Sequence, residues 1–224
     1  MVHNPIQLAV LDMAGTTVVD DGLVVGAFDA AADAVGLNDR EHARQYVLDT
    51  MGQSKIVVFR ALLGTEELAQ RANAAFERAY AELVDNGAAT PIDGAAEAIS
   101  RIRDAGIRVA LTTGFSRSTQ EKLLAALGWQ SLADVVLAPG DGVRGRPYPD
   151  MILAALMRAQ ADGVANVAAL GDTTSDIESA RRAGVSVAAG TLTGAHDEQQ
   201  LRAAGATHVV ASVTEFADLI LNGR

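Results

Sequence analysis

The feature that most constrains this chain is a rhythm in which short apolar runs alternate with stretches of helical periodicity. Ile6–Leu11 is apolar on both faces, and similar runs recur at Val109–Leu111, Val135–Leu137, Val167–Leu170, Val185–Ala188 and His208–Val210. A strand that is apolar on both faces must be covered on both, as happens in a parallel sheet flanked by helices. The rhythm predicts an α/β fold built on a doubly wound parallel sheet. Two helices between the runs carry capping-box patterns. Ser118 with Glu121 opens one that Gly128 stops, and Ser175 with Glu178 opens one that Gly184 stops.

Residues 20–87 break the rhythm and read as helices only, over Gly26–Val35, Glu41–Asp49, Lys55–Leu63 and Glu66–Val84. The turn-rich segment Gly87–Gly94 then returns the chain to the alternating pattern. The expected organisation is a core domain from residues 1–19 and 88–224, with residues 20–87 inserted as an all-helical cap. Ligands of open α/β sheets bind outside the carboxyl ends of the strands, so a cap inserted after the first strand would close over that crevice and exclude water.

Composition narrows the function. The formal net charge of −10 disfavours nucleic acid and anionic membrane, both of which require a basic face. The chain has no cysteine, which excludes disulfides, thiolate metal sites and cysteine nucleophiles and makes the cytoplasm the default compartment. The opening residues show no signal-peptide pattern, and no apolar run reaches membrane-spanning length.

Four segments carry candidate chemistry, each at or just after the end of an expected strand. Asp12-Met13-Ala14-Gly15-Thr16-Thr17 puts a carboxylate at the crevice and a glycine where the backbone must curl. Thr112-Thr113-Gly114 offers a hydroxyl and backbone N–H groups ahead of a helix, a setting for a phosphate oxygen. Gly145-Arg146-Pro147-Tyr148-Pro149 stiffens the chain around one cation. Gly171-Asp172-Thr173-Thr174-Ser175-Asp176 supplies two carboxylates for a hard cation. Each has an ordinary reading alone: a turn-forming Asp, a Thr–Gly turn, a surface arginine, an acidic residue complementing a helix dipole. The run from Gly140 to Gly145 also satisfies G-x-G-x-x-G, but prolines follow where a dinucleotide site needs a helix.

Taken together and in this order, the four segments resemble the motifs of the haloacid dehalogenase superfamily, and the helical insert resembles that superfamily's first cap class. The resemblance implies a Rossmann-like core and makes Asp12 the nucleophile. It assigns Mg²⁺ to Asp12, the carbonyl of Ala14 and Asp172, with Asp176 as a ligand or in support. It also brings Thr113 and Arg146 to the transferring phosphoryl group and places Gly15, Thr16 and Gly114 around the substrate. Members often pair through their caps, so a homodimer is among the implications.

One departure is informative. Most phosphatases of the superfamily carry a second Asp two residues after the nucleophile, where this chain has Ala14. Loss of a positioned acid costs an ester-cleaving enzyme roughly 10²–10⁴-fold. The phosphonatase branch shares the alanine. It also shares a segment similar to Met51-Gly52-Gln53-Ser54-Lys55-Ile56 and an arginine at the place of Arg146. That resemblance implies that Met51 and Gly52 meet the substrate and that Lys55 forms a Schiff base with a carbonyl phosphonate, so that attack by Asp12 expels an enamine needing no proton from position 14. Alternatively, Lys55 stays charged and grips the phosphate of an ordinary monoester, and a third reading is a non-catalytic protein that binds phosphate ligands. The branch has a histidine three residues after that lysine, where this chain has Val58; His3, His42, His196 and His208 fall in no recognised motif. The expected ligand is a small phosphonate or phosphate, with a 2-oxoalkylphosphonate favoured.

Overall fold

A computed structural model describes residues 6–140 and 142–222, so His3, Asp141 and the first five residues of the expected core lie outside the described residues. Six strands form one parallel sheet: β1 (Leu8–Asp12), β2 (Arg108–Thr112), β3 (Val135–Leu137), β4 (Val167–Gly171), β5 (Val187–Thr191) and β6 (His208–Val210). Their spatial order is β3-β2-β1-β4-β5-β6, the doubly wound order, whose direction of winding reverses between β1 and β4.

The central strand shows why both faces of these runs are apolar. Ala9 and Leu11 enter one hydrophobic core and Leu8 and Val10 the other, as the two-residue period of a strand demands. The second core is closed by α7 (Asp150–Ala159) and α8 (Thr174–Ala183) through Ile152, Ala155 and Ala180. The first is closed by α5 (Ala95–Asp104) and, beyond α9 (Glu198–Ala204), by α10 (Val213–Asn222), through Ile99, Ile102 and Phe216, and it continues into the helical insert.

That insert is a cap of α1 (Leu23–Val35), α2 (Arg40–Asp49), α3 (Lys55–Leu63) and α4 (Glu66–Asp85). Small residues on α1 and α4 (Ala27, Ala31, Ala69 and Ala72) are fully buried, which lets these helices pack closely. Phe28 stacks on Phe59 at 5.8 Å between ring centroids, and Phe76 stacks on Tyr80 at 6.1 Å. Tyr80 then reaches the core, its ring 4.5 Å from that of Phe115. Among the described residues no helix is long and apolar enough to cross a membrane.

Some local expectations are corrected. The run expected at Val185–Ala188 forms its strand at Val187–Thr191, because Val185 donates its N–H to Ala180 O and so closes α8. Helix α6 (Arg117–Ala126) is capped by Ser116, which accepts from Thr119 N at 3.4 Å, instead of by Ser118. Helix α8 is capped by Thr173, with Asp176 closing the box in place of the expected Ser175 and Glu178. In both cases an extended residue with a hydroxyl stands two positions earlier, and it takes the cap. The stop at Gly184 is as expected, in the left-handed conformation.

Candidate active site

The strands deliver the expected residues to one edge of the sheet. Asp12 is the last residue of β1 and pairs with Thr112, the last of β2; Asp172 follows β4 on the other side. Side chains leaving these adjacent strands converge where the winding reverses. Asp12, Asp172, Asp176 and Arg146 are all buried, with exposures of 6%, 2%, 7% and 5%.

Arg146 ties the acidic groups together. Its guanidinium lies 2.6 Å from Asp12 Oδ1 and 2.7 Å from Asp176 Oδ1, and it donates to Thr112 Oγ1 at 2.7 Å and to the Gly52 carbonyl at 3.3 Å. Asp176 uses its other oxygen to accept from Thr173 N–H and O–H at 3.1 and 2.5 Å. Asp172 accepts from Ala195 N–H at 2.8 Å and from Thr16 O–H at 3.1 Å. The Thr16 hydroxyl, expected at the substrate, thus donates to Asp172. Thr113 accepts from Phe115 N–H at 3.2 Å. Gly15 is left-handed at φ 84°, and a Cβ on it would run into the Asp172 carboxylate, so only glycine permits this approach.

The donor set fits a hard divalent cation. One oxygen from each of Asp12, Asp172 and Asp176 lies within 4.8 Å of the others, and Ala14 lines a cavity together with Asp12 and Asp172. The charge balance points the same way. Burial drives the Asp12 carboxyl well above its ordinary range, against the pull of Arg146, while Asp176 and Asp172 push it further up. Burial, reinforced by Asp176, raises Asp172 to about 7. A cation among these oxygens would favour their ionised forms.

The cap brings Lys55 down onto this edge. It is the first residue of α3, 9% exposed, and its ammonium nitrogen lies 5.9 Å from the centre of the Phe115 ring. Burial lowers its pKa to about 8, with Arg146 adding to the fall while Asp20 and Asp12 oppose it. Lys55, Met51, Gly52, Thr113, Gly114 and Asp12 line one small cavity of about 20 Å³, enough for a water molecule. Gly52 is left-handed at φ 81°, and a Cβ there would strike the Thr173 hydroxyl, so the cap loop reaches the core only through a glycine. Val58, in the place of the branch's histidine, is buried in the apolar core.

Other groups at this edge were not singled out from the sequence. Asp20 borders the Lys55 cavity, and the buried Tyr80 hydroxyl is near enough to Asp20 and Asp12 for their charges to raise its pKa, after burial itself. The segment after β5 also supports the site: Thr193 O–H donates to Gly15 O at 2.7 Å, and His196 Nδ1 accepts from Thr174 N–H at 2.8 Å. Position after a strand end was the available signal for this segment. The glycine run from Gly140 to Gly145 opens no helix, since α7 begins at Asp150.

Comparison with known proteins agrees with this architecture. A phosphonoacetaldehyde hydrolase of Bacillus cereus is 37% identical over 100 residues, covering 43% of this chain and 37% of the relative's own length. The "Probable phosphatase IndB" of Dickeya dadantii is 28% identical over 212 residues, covering 93% of this chain and 90% of the relative. A phosphonoacetaldehyde hydrolase-like protein from Oleispira antarctica has a crystal structure that superposes with a TM-score of 0.85 at 24% identity, covering 99% of this chain and 93% of that one. The family model for haloacid dehalogenase-like hydrolases matches residues 6–184, spanning all four segments around Asp12, Thr113, Arg146 and Asp172, and the chain belongs to that family.

Proposed function

We propose that this hydrolase depends on Mg²⁺ and cleaves the C–P bond of a 2-oxoalkylphosphonate, a phosphonoacetaldehyde-like substrate, with Asp12 as nucleophile and Lys55 as the imine-forming amine. The observation that carries this reading is the cavity shared by Asp12, Ala14 and Lys55: a buried amine of lowered basicity stands beside the nucleophile, and alanine stands where an ester-cleaving relative has its acid. Asp12, the Ala14 carbonyl and Asp172 would hold the metal with Asp176 beside them, and the bound ion would neutralise charge on the phosphonate.

In this reading the Lys55 nitrogen condenses with the carbonyl, and the resulting iminium draws electrons from the adjacent carbon. Asp12 attacks phosphorus, the C–P electron pair becomes the enamine double bond, and Asp12 carries the phosphoryl group until water removes it. Arg146 holds Asp12 and Asp176 in register, and Phe115 and the cap keep bulk water from the imine. The similarity to phosphonoacetaldehyde hydrolases supports this reading, although the aligned stretch covers 37% of the Bacillus cereus protein. The nearly full-length match to IndB favours a second reading, phosphomonoester hydrolysis with Lys55 as a phosphate-binding cation.

A phosphate-release screen separates the two. The expected result is release from 2-oxoalkylphosphonates that EDTA abolishes and Mg²⁺ restores. Turnover of phosphate monoesters with no release from any carbonyl phosphonate would overturn the proposal.

A further inference from the structure

Imine chemistry requires proton transfers at the nitrogen and at the departing oxygen, and Val58 supplies no group for them. The residues around Lys55 do. Asp20 lies on the segment entering the cap, where its Oδ1 accepts from Val24 N–H at 3.1 Å and so fixes the carboxyl at the start of α1. The same carboxyl borders the cavity that holds Lys55 and Asp12. Among the described residues no carboxylate closes an ion pair on Lys55 within 4.0 Å, so the amine is not locked to Asp20. Tyr80 reaches this region from α4, and its hydroxyl is the buried side-chain polar atom that, among the described residues, has no hydrogen-bond partner.

We infer that Asp20 is the proton-exchanging group for Lys55, in the role that a histidine on α3 would otherwise fill. This rests on the imine reading above. The steps balance within the site. Across the cavity they share, through one water, the Asp20 carboxylate takes a proton from the Lys55 ammonium. The freed amine attacks the carbonyl carbon, forming the C–N bond; the π pair moves to oxygen, which collects a second proton from nitrogen. Protonated Asp20 then gives its proton to that hydroxyl, the C–O bond breaks, water leaves, and the nitrogen lone pair completes the iminium. Asp20 returns to a carboxylate.

The electrostatics suit this exchange. Burial raises Asp20 to about 6, with Asp21 adding to the rise and Lys55 opposing it, while Lys55 sits at about 8. The groups facing the pair are Asp12 and Asp172 from the sheet edge, Arg146 from its loop and Tyr80 from α4. Burial thus pushes the acid up and the amine down, which brings the two groups closer in proton affinity.

The test is Asp20→Asn, whose side-chain oxygen can still accept from Val24 N–H, so the cap keeps its anchor. On a carbonyl phosphonate that the wild type turns over, kcat/KM should fall below a pKa near 6. Asp20→Asn should lose that acidic limb, drop about a hundredfold in kcat with little change in KM, and slow borohydride trapping at Lys55. Asp20→Glu should restore part of the rate and the limb. Wild-type trapping at Lys55 together with an unchanged pH profile in Asp20→Asn would overturn the role of Asp20 while leaving the imine intact. No trapping in the wild type, with monoesters as substrates, would remove both.

Discussion

The sheet edge and the cap corner of this site follow opposite plans. At the sheet edge each charged group is tied down: Arg146 to Asp12, Asp176, Thr112 and Gly52, and Asp172 to Thr16 and Ala195. In the cap corner Asp20 has one anchored oxygen, Lys55 sits buried at lowered basicity, and the Tyr80 hydroxyl has no partner among the described residues. In the proposed reaction the phosphoryl group presents the same charge in every substrate, so the groups that would receive it can be preorganised. In the proposed reaction the organic part must exchange protons, a task suited to groups that keep bonding capacity to spare. Unsatisfied buried groups cost stability, and that cost falls on the cap corner.

The largest effect is expected at Asp12. Asp12→Asn should abolish phosphate release, by on the order of 10⁴-fold or more, while the protein still folds, because an amide is a poor nucleophile and a poor metal ligand. Circular dichroism with a single-turnover assay checks both halves, and substantial residual turnover would take Asp12 out of its role.

At Lys55 activity and stability should move in opposite directions. The lysine binds its proton near 10.5 in the unfolded chain but near 8 in the folded one, chiefly because it is buried. Between those values the unfolded state holds more protons, so stability rises with pH across the window and the full penalty applies below about pH 8. At pH 7 that penalty is on the order of 3 kcal/mol. Lys55→Met keeps the bulk without the charge, so it should be inactive yet melt higher than wild type at pH 7, with the gap narrowing toward pH 10.5. A gap that does not change with pH would contradict this account.

The smallest effect is expected at Tyr80. Tyr80→Phe removes a hydroxyl that lacks a partner, so the free protein should gain about 1 kcal/mol in denaturant unfolding. A loss of stability would show that the hydroxyl is satisfied after all.

The sheet and its edge were largely legible in the sequence, because a strand apolar on both faces must be central and a polar residue ending it must lie at the crevice. Asp12 and Asp172 follow from that rule alone. Cap positions were harder to place: both boxes were set two residues late, since Ser116 and Thr173 match no S/T-x-x-E pattern yet stand where the chain leaves its extended form. Asp20 and Tyr80 gave no signal, because separate segments bring Asp20 beside Lys55 and the Tyr80 hydroxyl toward Asp20, and no local pattern records such a meeting. Lys55 could be named only through a family resemblance; its burial and lowered basicity belong to the fold.

Everything proposed for the cap depends on Lys55 acting as an amine toward a carbonyl. Borohydride added during turnover of a 2-oxoalkylphosphonate, followed by peptide mass spectrometry, tests it most directly. Irreversible inactivation is expected, with the reduced adduct on the peptide containing Lys55 and no adduct in Lys55→Arg, which should also lose C–P cleavage. An unmodified Lys55 peptide with every carbonyl phosphonate that is turned over, alongside an active Lys55→Arg enzyme, would contradict it.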